Sequence, residues 1–200
     1  MRFYPENLYH IYNRGNNKQV VFIERKNYLF FLRKVRKELL GFCEILAYCL
    51  MPTHFHFLVY TKRNESSDDF ESSDEYALNN GIAVLLRSYT RAINKQENRS
   101  GSLFQQKTKA KCLTNYEKNS VEFYPFICFH YIHQNPYAAK LVKKLEDWES
   151  SSFKDYIGLR NGTLCNQYLA RELLNLPTDK NEFYEMSYDI ITPDKLDNIF

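Results

Sequence analysis

The sequence predicts an α+β domain built on an antiparallel sheet, and three observations carry that prediction. The segments LYHIYNR, FCEILAYCL and HFHFLVY are short, rich in aromatic and β-branched residues, and bounded by turn signals, as strands are. Two longer segments between and after them repeat their apolar residues at helical spacing. The order that results is β-α-β-β-α-β, which matches a ferredoxin-like (RRM-like) sheet with helices on one face, followed by a C-terminal helical appendage.

Each element has its own justification. Residues 8–14 form the first strand, closed by a turn at Gly15, Asn16 and Asn17. Asn27 is the expected cap of a helix over 27–40, in which Leu29, Phe30, Leu32, Val35, Leu39 and Leu40 follow a helical period and Gly41 stops the run. Residues 42–50 and 54–60 are two strands joined tightly through Met51, Pro52 and Thr53. The serine-rich, acidic stretch KRNESSDDFESSDE at 62–75 is expected to be a mobile loop. Helical periodicity returns over 76–95, with Arg87, Arg91 and Lys95 spaced by four as one basic stripe. Beyond Gly101, SLFQQKTKAKCLT alternates like a fourth strand that would set Lys107, Lys109 and Lys111 on one face. Residues 121–134 read as an aromatic-rich helix ending near Asn135, with Pro136 opening a second short helix. The expected division is a main domain over 1–157 and a helical tail over 158–200.

Composition narrows the class. With 44% hydrophobic residues in 200, 16 tyrosines and 15 phenylalanines, the chain has ample material for one core. Its five cysteines are odd in number and lack C-x-x-C pairing, which excludes a zinc ribbon or disulfide framework and points to a reducing, cytoplasmic setting. No signal peptide is visible in MRFYPENLYH, and no apolar run is long enough to cross a bilayer. The net charge of +3 is unevenly spread, and the basic run from Arg87 to Lys118 suits a polyanion partner as well as a solvated face.

Chemistry concentrates in MPTHFHFLVY. In a strand, His54 and His56 point to one face while Phe55 and Phe57 point to the other. Two histidines on one face are either polar residues of an open sheet or half of a metal site needing a third, oxygen ligand. In FHYIHQNPY, Tyr131 and Asn135 stand one helical turn apart. Laid over the histidines, that amide would complete a site and the phenol would attack a phosphate; equally, Asn135 is a helix cap and Tyr131 a packing residue. His130 and His133 admit a zinc site, but no local partner completes it.

Four segments in order, YHIYNRGNNKQVVF, AYCLMPTHFHFLV, GSLFQQKTKAK and YIHQNPYAAKLV, resemble the single-tyrosine transposases of the HUH nuclease superfamily, closest to the REP-associated tyrosine transposases. The resemblance spans most of residues 8–157. It implies that His54 and His56 are the HUH pair, Asn135 the third metal ligand and Tyr131 the catalytic nucleophile. It further implies a Mg²⁺- or Mn²⁺-dependent endonuclease and strand transferase that acts on single-stranded DNA beside a hairpin through a 5′-phosphotyrosine. Arg14, Arg87, Arg91, Lys95, Lys107, Lys109 and Lys111 are the expected DNA contacts, with no membrane or small-molecule partner. The resemblance leaves monomer and homodimer open, because in related transposases the tyrosine helix can serve a partner's site. Thr53 departs from the asparagine usual before the first histidine, and the 62–75 loop looks like an insertion. The alternative is a non-cleaving hairpin DNA- or RNA-binding module derived from such a transposase.

Overall fold

In the computed structural model, residues 2–63, 74–114, 124–189 and 191 are described. Strand β1 spans Leu8–Arg14, helix α1 Arg25–Leu39, β2 Cys43–Met51, β3 His54–Thr61, α2 Asp74–Gln96 and β4 Lys109–Cys112. Helix α3 spans Tyr124–Ala138, and α4 (Phe153–Tyr156), α5 (Gln167–Leu174) and α6 (Lys180–Met186) complete the order. The sheet runs β2-β3-β1-β4 with every neighbouring pair antiparallel, the arrangement predicted from the element order. Most of the acidic segment, together with the beginning expected for α3 at 121–123, lies outside the described residues.

The period-2 pattern of β3 divides the molecule. Phe55 and Phe57 point to the face covered by α1 and α2, where Phe31 lies 5.3 Å from the Phe55 ring and 4.9 Å from Tyr89 of α2. Burying that many aromatic rings is the main stabilising term of this layer, at roughly 2–3 kcal/mol per fully buried Phe-sized side chain. Helix α3 takes the opposite face, where Tyr131 meets the ring of His56 at 5.5 Å. Helices on one face therefore describes α1 and α2 but not α3, which strand alternation alone does not assign.

Two local expectations are corrected. Asn27 is the third residue of α1 rather than its cap; Glu24 takes that place, and Asn27 Oδ1 accepts from the backbone N–H groups of Glu24 and Ile23 at 2.9 and 3.2 Å. Helix α3 also continues through Pro136 instead of breaking before it. Pro136 falls in the last turn, so its missing N–H removes a single ladder bond, and Leu141 N and Ala139 N still bond Pro136 O and Asn135 O. Gly15, at the expected turn, has a physical reason: an added Cβ would sit 2.3 Å from Gln19 O.

The chain after α3 returns along the outer edge of β2. Leu50 N bonds Ser150 O, Ser152 N bonds Tyr48 O and Asn166 N bonds Ile45 O, so this edge is covered. Ala170 and Leu174 of α5 and Phe183 of α6 are buried in the same core as the sheet. Among the described residues, no helix is long and apolar enough to cross a membrane.

Candidate active site

The site forms where α3 crosses β3. Antiparallel register sets His54 opposite Arg14 and His56 opposite Tyr12 of β1, so these four side chains share the face that α3 partly covers. The two imidazoles are 5.1 Å apart between ring centroids and perpendicular. Tyr131 stands edge-on over His56 with an interplanar angle of 88°. Asn135, one turn later, is near enough for its side-chain amide to act on both the His54 imidazole and the Tyr131 phenol. Residues some eighty positions apart in one chain thus meet in one site.

Each histidine is held from behind. The Thr53 hydroxyl lies 2.9 Å from His54 Nδ1, and His10 Nε2 lies 2.9 Å from His56 Nδ1. With Nδ1 engaged, Nε2 is the nitrogen each ring has to offer a ligand. Burial pushes the His54 pKa below its ordinary value, the Asn135 amide oxygen as an acceptor opposes that shift and the charge of Arg14 adds to it. His56 lies well below, through burial first and then the neighbouring His10 and His54. Both imidazoles are therefore neutral near pH 7 and carry the lone pair that a metal ligand needs.

Tyr131 is shifted the other way. Burial pushes its phenol up to about 12; the Asn135 hydrogen bond lowers it, and Cys128, Cys49 and Tyr12 raise it further. The phenol is fully protonated at neutral pH.

A divalent cation suits this donor set. Among the described residues no three His, Cys, Asp or Glu side chains converge, so a cation here would rest on two imidazoles and an amide. Asn135 Nδ2 donates to the Tyr131 carbonyl at 2.9 Å, which leaves its amide oxygen as the third donor. Two neutral nitrogens and one amide oxygen would leave coordination positions open for water or a phosphate, unlike the closed four-ligand set of a structural zinc.

A cleft of about 440 Å³ opens beside these residues, lined by Tyr12, Asn13, Arg14, His54, His56, Gln105, Lys107, Lys109 and Tyr131. Its cations, Arg14, Lys107 and Lys109, come from two places in the chain, and Lys109 Nζ lies 5.7 Å from the centre of the Tyr12 ring. Asn13 fixes one wall by donating from Nδ2 to Gln105 O and Thr108 Oγ1 at 3.1 and 2.9 Å. Lys111 is opposite His10 on the same sheet face but does not line the cleft. Arg87, Arg91 and Lys95 are exposed on α2, whose buried Leu85, Tyr89 and Ile93 pack on the other face of the sheet. The basic residues expected to act together are thus divided between two faces.

His130 and His133 are absorbed by packing. His130 is buried beside Phe126 and Phe129, with Phe183 of α6 next to it, and His133 Nε2 bonds Ser152 Oγ at 2.7 Å. The residues missed by sequence reasoning are His10, Tyr12, Thr53 and Gln105. The signal for the first two was present, since alternation along β1 puts His10 and Tyr12 on one face, but only the register shows that this face adjoins His56.

Among solved structures the chain is similar to a REP-associated tyrosine transposase bound to a REP hairpin, with a TM-score of 0.53 and 20% identity, covering 79% of this chain and 84% of that one. The fold is that of a tyrosine transposase. No family sequence model matches the chain, and no curated protein matches it. At this identity the likeness concerns the fold, and the arrangement of His54, His56, Tyr131 and Asn135 stands on its own geometry.

Proposed function

We propose that the protein is a metal-dependent single-strand DNA endonuclease and strand transferase that forms a 5′-phosphotyrosine intermediate at hairpin-associated sites. The observation that carries this reading is the juxtaposition of Tyr131 and Asn135 with His54 and His56 within one chain. One chain supplies every member of the set, so a monomer is sufficient for chemistry. The solved neighbour was captured with a REP hairpin, which supports hairpin DNA as the partner of this chain as well.

His54, His56 and Asn135 would hold the cation, whose charge polarises the scissile phosphate. Arg14, Lys107 and Lys109 hold the phosphates on either side without reading bases. The Tyr131 oxygen attacks phosphorus, the P–O3′ bond breaks, the phenolic proton passes to water and the departing oxygen is protonated to a 3′-hydroxyl. With a pKa of about 12, only roughly one phenol in 10⁵ is ionised at pH 7, so proton loss accompanies the attack. Attack of a 3′-hydroxyl on the phosphotyrosine reverses the sequence, rejoins DNA and restores Tyr131. Bond energy is conserved in the linkage, and no external energy source is needed.

The test is a 3′-labelled, hairpin-bearing oligonucleotide incubated with the protein and Mn²⁺ or Mg²⁺. The expected product is a protein–DNA adduct that survives a denaturing gel and disappears in Tyr131→Phe while DNA binding persists. An undiminished adduct in Tyr131→Phe removes Tyr131 as nucleophile. Tight binding with no adduct under any metal would favour the non-cleaving module.

A further inference from the structure

His10 is a fully buried histidine on β1, and the mechanism above does not use it. Its ring is stacked on Tyr12 at 4.7 Å with 28° between planes, and Tyr131 closes over its edge at 6.2 Å. Its Nε2 meets His56 Nδ1 at 2.9 Å. A hydrogen bond between two neutral imidazoles needs one donor and one acceptor, so one tautomer choice fixes the other. If His56 is to give its Nε2 lone pair to a cation, its proton must reside on Nδ1 and His10 Nε2 must accept it.

We infer that His10 is the positioning residue of the cation site: its ring accepts the His56 Nδ1 proton, fixes that tautomer and aims Nε2 at the metal. This inference rests on the proposed function. Carboxylates and backbone carbonyls commonly fill this role behind a ligating histidine. Here an imidazole fills it, stacked on Tyr12. Thr53 serves His54 in the same manner, so both ligands are oriented through Nδ1. His10 is a ring in a ring-lined slot, and a substitution can remove the acceptor while keeping the shape. His10→Phe does so, and His10→Gln returns an acceptor atom.

The experiment is Mn²⁺ titration of the DNA-free protein followed by electron paramagnetic resonance. His10→Phe should raise the dissociation constant roughly 10- to 100-fold, with His10→Gln recovering most of the loss. Thermal unfolding of the same samples separates lost orientation from lost fold. A tautomer measurement needs no substitution and holds even where His10→Phe fails to fold. In ¹⁵N-histidine spectra of the metal-free wild type, His56 should be the Nδ1–H tautomer, and an Nε2–H tautomer overturns the inference. Equal Mn²⁺ affinity in wild type and folded His10→Phe also overturns it while leaving the cation site intact. No Mn²⁺ binding by the wild type overturns the site itself, and the role of His10 with it.

Discussion

Replacing Arg14, Lys107 and Lys109 together by alanine tests which face of the sheet carries the nucleic acid. These three cations line the cleft beside His54, His56 and Tyr131, whereas Arg87, Arg91 and Lys95 are exposed on a helix across the sheet. A phosphate contact to a single strand releases counterions and contributes about 0.7 to the slope of log K against log salt. Three contacts contribute about 2, which amounts to a roughly 50-fold loss of affinity at about 0.15 M salt, vanishing toward 1 M. The assay is fluorescence anisotropy of a labelled, hairpin-bearing oligonucleotide over a salt series, with Tyr131→Phe as background so that no adduct forms. The cleft variant should lose about 2 from the slope, and the matching alanine variant of Arg87, Arg91 and Lys95 should keep the wild-type slope. The opposite outcome would put the strand on α2 and refute the assignment of the cleft as the DNA path.

Two further outcomes follow from burial and packing. Burial lowers the His130 pKa to about 4, so as pH falls from 6.5 to 4 the unfolded chain binds a proton that the folded chain refuses. Stability is therefore flat above pH 6.5, falls by about 3 kcal/mol on this account down to pH 4 and levels off below. His130→Phe, placed among Phe126, Phe129 and Phe183, should flatten that fall in thermal unfolding measured across the range, and an unchanged pH profile would contradict it. Gly81 lies inside α2, where alanine is the better helix former by about 1 kcal/mol. A Cβ there would sit 2.5 Å from Glu38 O and 3.3 Å from Leu39 Cδ2 of α1, so Gly81→Ala should lower the melting temperature by roughly 2–10 °C, and a rise would show that the helices can part without cost.

The local parts of the fold were legible because backbone sterics impose short periods. Alternation alone puts His54 and His56 on one face and Phe55 and Phe57 on the other, and the structure has them so. Helical spacing likewise aligned Tyr131 with Asn135. Where two local signals competed, sequence reasoning chose the wrong one. Asparagine before a helix suggested a cap at Asn27, but the chain enters α1 three residues earlier and uses that side chain to reach back. Asparagine before proline suggested a helix end at Asn135, but a proline in a last turn costs only one backbone bond.

What the sequence by itself determined is the inventory and its local order: two histidines on one face of a strand, a tyrosine and an amide on a helix, and cations at intervals of two and four. Only the tertiary structure decided that α3 lies on the histidine face and not with α1 and α2, which turns two half-sites into one. It also chose Arg14, Lys107 and Lys109 over the α2 stripe as walls of the cleft, and set His10 behind His56. The reason is physical. Periods of two and 3.6 are written into each residue's backbone, whereas sheet register and the face a helix covers depend on which distant surfaces bury each other best.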